Sequence, residues 1–379
     1  METGCGVTPG GSSVDRGMLQ PASSPRLARH WRWALMIALV VSSLYVFAMW
    51  LIDTRPLMNL NSYERAKFVD MVYGKAHRPF VYRTLVPTVV RWVRAAIPDP
   101  LNYGTHGKVY ARWPALYGGM LYLGWELEYL TEYATAAVLM YAALFGFGLA
   151  LKGLVRVLYE VPEWFAGVVP VVAMWLLPPF FVNGTHYVYD FMQLLLFTLL
   201  LVSLARQHWG AFYALLVLGL LNKETTVFIS LIAWVYLRDR MPTRILMRHL
   251  VVQLGLFGVT KLGLYLRFAS NPGTIVEDHT LINLYNALLR PYDLGAVLVV
   301  AVLGVLVAKG FADKPLILRR ALWIAIPMTV LYATLGTYGE IRVFYELVPI
   351  VLLLCLEPIA RALGIPMSAR PPQTVKKED

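Results

Sequence analysis

Charge and cysteine are both scarce in this sequence. Only 15% of its 379 residues are Asp, Glu, Lys or Arg, whereas soluble domains carry about a quarter. The two cysteines, Cys5 and Cys355, lie in an N-terminal tail and in an apolar stretch, so they imply no disulfide framework. We see no convincing internal repeat, so an inverted-repeat transporter gains no direct support. These shortages exclude an ordinary soluble domain and a disulfide scaffold.

Long apolar runs are what the sequence has instead. Hydrophobic residues make up 58% of the chain, and several runs reach about twenty residues, the length that a helix needs to cross the hydrocarbon core. The sequence therefore predicts an all-α, polytopic membrane protein of about ten transmembrane helices. The predicted spans are 33–52, 134–151, 164–182, 191–205, two short spans within 209–237, 250–266, 294–308, 322–337 and 347–363.

The basic residues set the orientation of these spans. Cytoplasmic loops are enriched in Lys and Arg, and the segment 238–248 is the most basic connection in the chain. This rule places both termini in the cytoplasm and makes residues 53–112 a long outer loop. The predicted domains are a disordered tail over 1–32, one membrane domain over 33–363 and a second cytoplasmic tail over 364–379. The net charge of +11 then reflects inner loops and lipid headgroups, with no nucleic-acid partner implied.

The long outer loop predicts two helices along the membrane surface. Asn61 and Glu64 fit a capping box for the first helix, which Gly74 would close. Apolar residues recur at helical spacing over 84–96, which predicts the second. The first span lacks the cleavage site of a signal peptide, so we expect an uncleaved anchor that delivers Asp53 to the outer face. Residues 270–293 are predicted as another outer loop.

Polar residues interrupt the apolar run from Trp209 to Leu237 near its middle. As one helix, this stretch would bury Lys223 and Glu224 near the bilayer centre, at roughly 2.5–3.5 kcal/mol for each charge. Two short spans joined by a polar turn over 222–226 avoid that cost. Ionisable residues at such a turn are candidates for a functional site, although the two could also form a structural ion pair.

With this topology, six groups of acids and bases lie at the outer face. They are Asp53, the segment 78–83, Asp190, Lys223 with Glu224, the segment 277–279, and Glu340 with Arg342. Arginine binds phosphate oxygens through paired hydrogen bonds, and a carboxylate can take the proton from an attacking hydroxyl. One outer cavity of mixed charge would therefore suit an anionic substrate together with proton transfer.

Each of these groups also has a structural interpretation. Asp53 could simply end the first span, and the arginines of 78–83 could anchor lipid headgroups. Asp190 could be a helix N-cap. The segment 277–279 could be a solvated loop, and the acid and base of 340–342 could pair only with each other.

The layout and four short motifs resemble the GT-C class of membrane glycosyltransferases. The segment 78–87, RPFVYRTLVP, is similar to a PF-x-YR-x-L-x-P motif of little-characterised bacterial relatives. Tyr189-Asp190, the segment 222–225 (NKET) and the segment 340–342 (EIR) resemble further motifs of such proteins. The resemblance implies many spans, surface helices in the first outer loop, and an active site on the outer face of a bacterial plasma membrane. It also implies a polyprenyl-phosphate-linked sugar as donor.

The resemblance assigns roles to the outer acids and bases. Asp53, or failing it Asp190, would deprotonate the acceptor hydroxyl. Asp190 and His186 could also hold a divalent metal, although two ligands make a weak site. The proposed substrate-binding residues are Arg78, Tyr82, Arg83, Lys223 and Arg342, with Glu224 and Glu340 orienting the bases.

One departure from the class keeps two other functions open. The first outer loop lacks the expected acidic pair, and Asn59 and Asn61 stand where an acid would be expected. Asp53 is the nearest substitute, and Asp70 the next. A non-catalytic membrane scaffold of the same fold is therefore one alternative. A lipid or solute transporter is the other, but the spans contain too few polar residues to trace a path across the membrane.

Overall fold

The computed structural model describes residues 25–52, 60–61, 63–99, 107–108, 111–181, 187–290 and 293–371. Within these ranges the chain is all-α apart from one short antiparallel ladder, β1 (Tyr159–Glu160) with β2 (Ser368–Ala369). The helices are α1 (Pro25–Ile52), α2 (Phe68–Val72), α3 (Leu85–Ala96), α4 (Pro114–Tyr122), α5 (Leu130–Leu158), α6 (Glu163–Trp175), α7 (Asp190–Ala205), α8 (Trp209–Asn222), α9 (Phe228–Leu237), α10 (Thr243–Arg267), α11 (Thr280–Leu289), α12 (Leu294–Ala308), α13 (Leu316–Ala321), α14 (Ala325–Leu335) and α15 (Val348–Ala362). Short 3₁₀ turns join them, including Phe80–Tyr82, Glu224–Val227 and Ile341–Leu347.

Six of the described helical segments are long and apolar enough to cross a membrane. They are 29–51, 127–158, 163–180, 243–267, 316–335 and 341–362. Helices α11 and α12 together form a bent pair, and α7, α8 and the segment 224–237 are shorter apolar helices. The chain is therefore a multi-pass membrane protein, and it has fewer full-length spans than the ten predicted. The difference arises because 190–237 folds as three helices of ten to seventeen residues, and because 294–308 is one half of the bent pair.

The core lies where α5 packs along α7, and α8 also packs against α7. These helices bury large apolar side chains such as Phe147, Phe197 and Phe212. A helix buried on several sides needs apolar residues all round rather than in one stripe. This packing places the beginning of α7, the end of α8 and the turn after it side by side.

Several predicted boundaries differ from the structure. Helix α1 begins at Pro25, inside the predicted tail over 1–32. The predicted capping box is wrong, because α2 begins only at Phe68 and Asn61 Oδ1 accepts the Phe68 amide hydrogen at 3.1 Å. Helix α15 ends one residue before the predicted limit of the last span, and β2, inside the predicted C-terminal tail over 364–379, pairs with β1. The second surface helix agrees with its predicted limits within one residue.

The predicted outer loop 270–293 contains helix α11 and also binds the first loop. Arg78 donates its backbone amide to Pro272 O at 2.9 Å and a guanidinium hydrogen to Gly273 O at 2.8 Å. Gly273 has φ +94°, and a Cβ there would lie 2.6 Å from Arg78 O. Only glycine therefore allows these two segments to approach so closely.

Candidate functional site

The polar turn after α8 is the element around which the site is built. Helix α8 ends at Asn222, Lys223 is extended, and a 3₁₀ turn over Glu224–Val227 leads into α9. Thr226 turns back on α8 and donates to Gly219 O at 2.9 Å. A Cβ on Gly219 would lie 2.5 Å from Thr226 Cγ2, so glycine permits this contact. The sequence prediction of a turn between two short apolar helices agrees with this arrangement.

A network of buried amides attaches the turn to α7. Asn222 donates from Nδ2 to Tyr189 O at 3.0 Å and to Gln193 Oε1 at 3.1 Å. Gln193 in turn donates to Thr226 Oγ1 at 3.0 Å. All of these side chains are buried, and buried polar groups must be hydrogen-bonded to avoid a desolvation cost. The network therefore fixes the turn against the first residues of α7.

Lys223 points inward and pairs with an acid that sequence analysis did not select. Its Nζ lies 3.4 Å from Glu346 Oε1, and the Glu346 side chain has 0% exposure. The same oxygen accepts hydrogen bonds from Gln193 Nε2 at 3.1 Å and from Thr225 Oγ1. Glu346 belongs to the 3₁₀ turn 341–347. The predicted pairing of Lys223 with Glu224 is therefore not the one that the structure contains.

Glu224 instead lies between two other cations. Its Oε1 is 3.4 Å from Arg83 Nη2, and its Oε2 is 3.9 Å from Lys261 Nζ on α10. Arg83 also donates to Tyr189 OH, and Lys261 lies 5.4 Å from the centre of the Tyr82 ring. The side chains of Glu224 and Lys261 are 32% and 33% exposed, which makes this the accessible edge of the site.

Arg342 forms the third ionic contact. Its Nη1 lies 3.3 Å from Asp190 Oδ1, its Nη2 pairs with Glu340, and its guanidinium lies 4.2 Å from the Tyr187 ring centre. Asp190 also accepts the Tyr187 amide hydrogen through Oδ2 at 3.0 Å. Both oxygens of this buried carboxylate are therefore engaged, so Asp190 is suited to position Arg342 rather than to accept a proton.

The charge state of two loop residues follows from these contacts. Burial alone would lower the pKa of the Arg83 guanidinium, but Tyr189 and Glu224 raise it above its ordinary value. Burial alone would raise the pKa of the Glu340 carboxyl, but the positive charge of Arg342 outweighs burial and lowers it. Arg83 is thus a cation and Glu340 an anion at neutral pH.

Not every predicted residue reaches this cluster. Arg78 is bound to Pro272 and Gly273 instead, as described above. Asp53 and His186 lie outside the described residues. The segment 277–279 is not simply solvated, because Glu277 lies 3.0 Å from Arg65 Nη1. In the described ranges, no group of three or more His, Cys, Asp or Glu side chains could hold a metal ion.

Glu346 and Lys261 are the functional candidates that sequence reasoning missed. Glu346 lies four residues after Arg342 and just before the apolar run of α15. A carboxylate at the start of a predicted span is a detectable signal, because ionisable residues within spans are rare and usually paired. Lys261 is likewise an ionisable residue within an apolar helix, α10, but its partner Glu224 is distant in sequence.

Unsatisfied buried atoms are concentrated around these contacts. Across the described ranges, several buried side-chain nitrogens and oxygens have no hydrogen-bond partner. Five donors near the cluster belong to this set, namely Tyr82 OH, Arg83 Nε, Lys223 Nζ, Arg342 Nε and Tyr345 OH. Two acceptors accompany them, Asn222 Oδ1 and Glu346 Oε2. The two arginine Nε atoms can only donate, and the tyrosine hydroxyls can donate or accept, so a ligand rich in oxygen would satisfy these atoms.

An apolar groove leads away from the turn. It lies between α9, α10 and α14, and is lined by Val227, Phe228, Leu231, Trp234, Leu250, Leu254 and Pro327, with Ser230. Leu250, Leu254 and Lys261 recur at intervals of four and seven residues, which places them on one face of α10. The groove and the charge of Lys261 therefore lie on the same face of α10.

Comparisons with known proteins gave no relative for this chain. No protein-family model matches it, and searches of curated proteins and of solved structures found no match either.

Proposed function

We propose that this chain is a glycosyltransferase of the GT-C type, which transfers a sugar from a polyprenyl-phosphate-linked donor to an acceptor at the outer membrane face. The proposal includes a bacterial plasma membrane, about ten crossings and cytoplasmic termini. The short helices α7, α8 and α9, together with α12, would supply the four crossings beyond the six long segments.

The buried donors that lack a hydrogen-bond partner are the observation that carries this proposal. The Nε atoms of Arg83 and Arg342 have no hydrogen-bond partner among the described residues, and Lys223 Nζ has only its ion pair with Glu346 at 3.4 Å. An unsatisfied buried donor costs about 1–3 kcal/mol, so several together favour a ligand that accepts hydrogen bonds. A phosphate group supplies such oxygens, and its negative charge would compete with the carboxylates that now pair with the three cations.

The apolar groove supports a lipid-linked phosphate over a soluble one. Its walls are almost entirely hydrocarbon, and one of its lining residues, Phe228, lies four residues after Glu224. An isoprenoid chain lying there would gain about 25 cal/mol for each Å² of apolar surface removed from water. Its phosphate would then lie near Lys261 and Arg83.

The proposed reaction is a displacement at the anomeric carbon. A carboxylate takes the proton of the acceptor hydroxyl, and the hydroxyl oxygen forms a bond to that carbon. The bond from the carbon to the phosphate oxygen breaks, and the lipid phosphate leaves with the electron pair. Arg83, Lys223 and Arg342 stabilise the charge that develops on it. Asp53 remains the proposed base, and Asp190 positions Arg342.

The test is binding and turnover by the purified full-length protein in lipid vesicles. Arg83→Gln, Lys223→Met and Arg342→Gln should each weaken binding of polyprenyl phosphate by about tenfold to a hundredfold, because each removes a charge-assisted hydrogen bond of about 1.5–3 kcal/mol. Release of labelled sugar from polyprenyl-phosphate sugar donors, with cell-envelope extract as acceptor source, should fall by at least as much.

Arg238→Gln is the matched control, because Arg238 is exposed and pairs only at 3.7 Å with Asp239. It should bind and react as the parent protein does. Equal affinity in all four variants would contradict the phosphate site. Binding without sugar release from any donor would contradict the enzymatic function, as would movement of the lipid across the bilayer with its sugar still attached.

A further inference from the structure

Helix α11 buries its polar side and exposes its apolar side, which is the opposite of an ordinary surface helix. Its only buried residues are two asparagines, Asn283 and Asn286. Its large apolar side chains all point away from the protein: Leu281, Ile282, Leu284, Tyr285, Leu288 and Leu289 are exposed, Leu281 to 82%. A surface helix in water shows its polar face to solvent and buries its apolar stripe. Water is therefore an unsuitable medium for α11.

The inward face of α11 is held by polar contacts rather than by packing. Asn283 Nδ2 donates to Gly336 O at 2.6 Å and to Ala333 O at 3.1 Å. The His279 amide donates to Thr334 O at 2.8 Å. These carbonyls lie at the C-terminal end of α14, where the last helical carbonyls need external donors. The contacts fix which side of α11 faces outward.

We propose that the outward face of α11 is embedded in the hydrocarbon of the bilayer, so that the partner of this surface is lipid acyl chains. The region 280–289 has no charged residue, and its apolar residues cover every side except the asparagine side. A contiguous patch of six exposed apolar side chains on a protein marks an interaction surface. Asp278 and Arg290 bracket the helix, where their charges can reach the headgroups.

Continuity with α12 favours lipid over a protein partner. Helix α12 has no buried residue among its described positions and no charged residue over 294–308, so it is suited to lie among acyl chains. The axis of α11 turns by 99° from that of α12. If α12 follows the bilayer normal, α11 lies in the membrane plane, as a membrane-embedded helix rather than as part of an aqueous loop.

Nitroxide depth measurements test this placement. Leu281→Cys and Leu288→Cys would be made singly in a full-length background carrying Cys5→Ser and Cys355→Ala, spin-labelled, and reconstituted in phospholipid vesicles. Both labels should collide more often with oxygen, which concentrates in hydrocarbon, than with a water-soluble nickel complex. Asp278→Cys is the control at an exposed position before the helix, and its label should show the opposite preference.

Both sites project from the surface, so the substitutions disturb no internal contact. Preferential collision with the nickel complex at 281 and 288 would place α11 in water and overturn the proposal. Low collision rates with both reagents would indicate that another protein chain covers the helix, which would also overturn it. Neither outcome bears on the phosphate site, which uses other residues.

Discussion

Lys223 and Glu346 are two charges that the protein has removed from water together. One oxygen of Glu346 pairs with Lys223 and accepts hydrogen bonds from Thr225 and Gln193. The other oxygen has no hydrogen-bond partner among the described residues. Transfer of an ion from water into a low-dielectric interior costs several kcal/mol, and the attraction between partners offsets this cost only while both are present. The burial of each charge is therefore tolerated only while the other charge is present.

This dependence predicts the effect of breaking the pair. Glu346→Gln should destabilise the protein by roughly 3–5 kcal/mol, because it leaves the Lys223 charge buried without a counter-charge. The measurement is thermal unfolding of the detergent-solubilised protein, followed by tryptophan fluorescence. The double variant Lys223→Met with Glu346→Leu should recover most of the lost stability, since apolar residues of similar volume can replace a buried ion pair.

The double variant also separates stability from function. It should fold but bind polyprenyl phosphate weakly, because Lys223 is one of the proposed phosphate ligands. A double variant as unstable as Glu346→Gln would show that the hydrogen bonds which Thr225 and Gln193 donate to Glu346 contribute as much as the ion pair.

At the scale of elements, the turn 222–227 joins four parts of the molecule. Its residues contact α7 through Gln193, the turn 341–347 through Glu346, α10 through Lys261 and the segment 80–84 through Arg83. The turn itself could be predicted, because a Lys–Glu pair within an apolar run has a high insertion cost. Its partners could not, because all of them lie at least 29 residues away in sequence and local periodicity carries no such information.

The close approach of Thr226 to α8 gives a test of the turn. Gly219→Ala should destabilise the protein by about 1–3 kcal/mol, the usual cost of an added methyl group in a tightly packed interior. Its Cβ would lie 2.5 Å from Thr226 Cγ2, and relief of that contact would displace the turn. Thermal unfolding measures the loss, and binding of polyprenyl phosphate should fall with it.

Gly210→Ala is the matched control on the same helix, since nothing lies within 4 Å of a Cβ at that position. It should be neutral or stabilising by up to about 1 kcal/mol, because alanine favours helix over glycine. Adding Thr226→Ser to Gly219→Ala removes the clashing methyl group and should restore part of the stability. Equal stability of the two alanine variants would mean that the turn adjusts without cost.

At the scale of the whole molecule, hydrophobicity predicted the class and the position of most apolar segments. It could not decide how many of them cross the bilayer, because length sets that limit and the short helices α7, α8 and α9 do not reach it individually. The lipid-facing helix α11 was missed for a physical reason. Residues 280–289 are only ten long and contain two asparagines, so the sequence alone is typical of a loop. Only the structure shows that their apolar side faces outward.

The orientation of the chain in the membrane can be tested at the two ends of α10. This helix has 25 residues and is about 38 Å long at 1.5 Å per residue, enough to cross the hydrocarbon core. Thr243 lies at its basic end, while Ser270 follows the end that carries Lys261, beside the turn with Glu224. Both are exposed. Because basic loops stay in the cytoplasm, the turn should face outward.

Single cysteines at these positions, in the background without Cys5 and Cys355, report their side of the membrane in intact bacterial spheroplasts. Ser270→Cys should react with a membrane-impermeant maleimide before lysis, and Thr243→Cys only after it. Ser368→Cys should behave as Thr243→Cys does, because β2 pairs with β1 just after the basic end of α5. The reverse pattern at 243 and 270 would place the charged cluster at the cytoplasmic face, where an outer acceptor could not reach it.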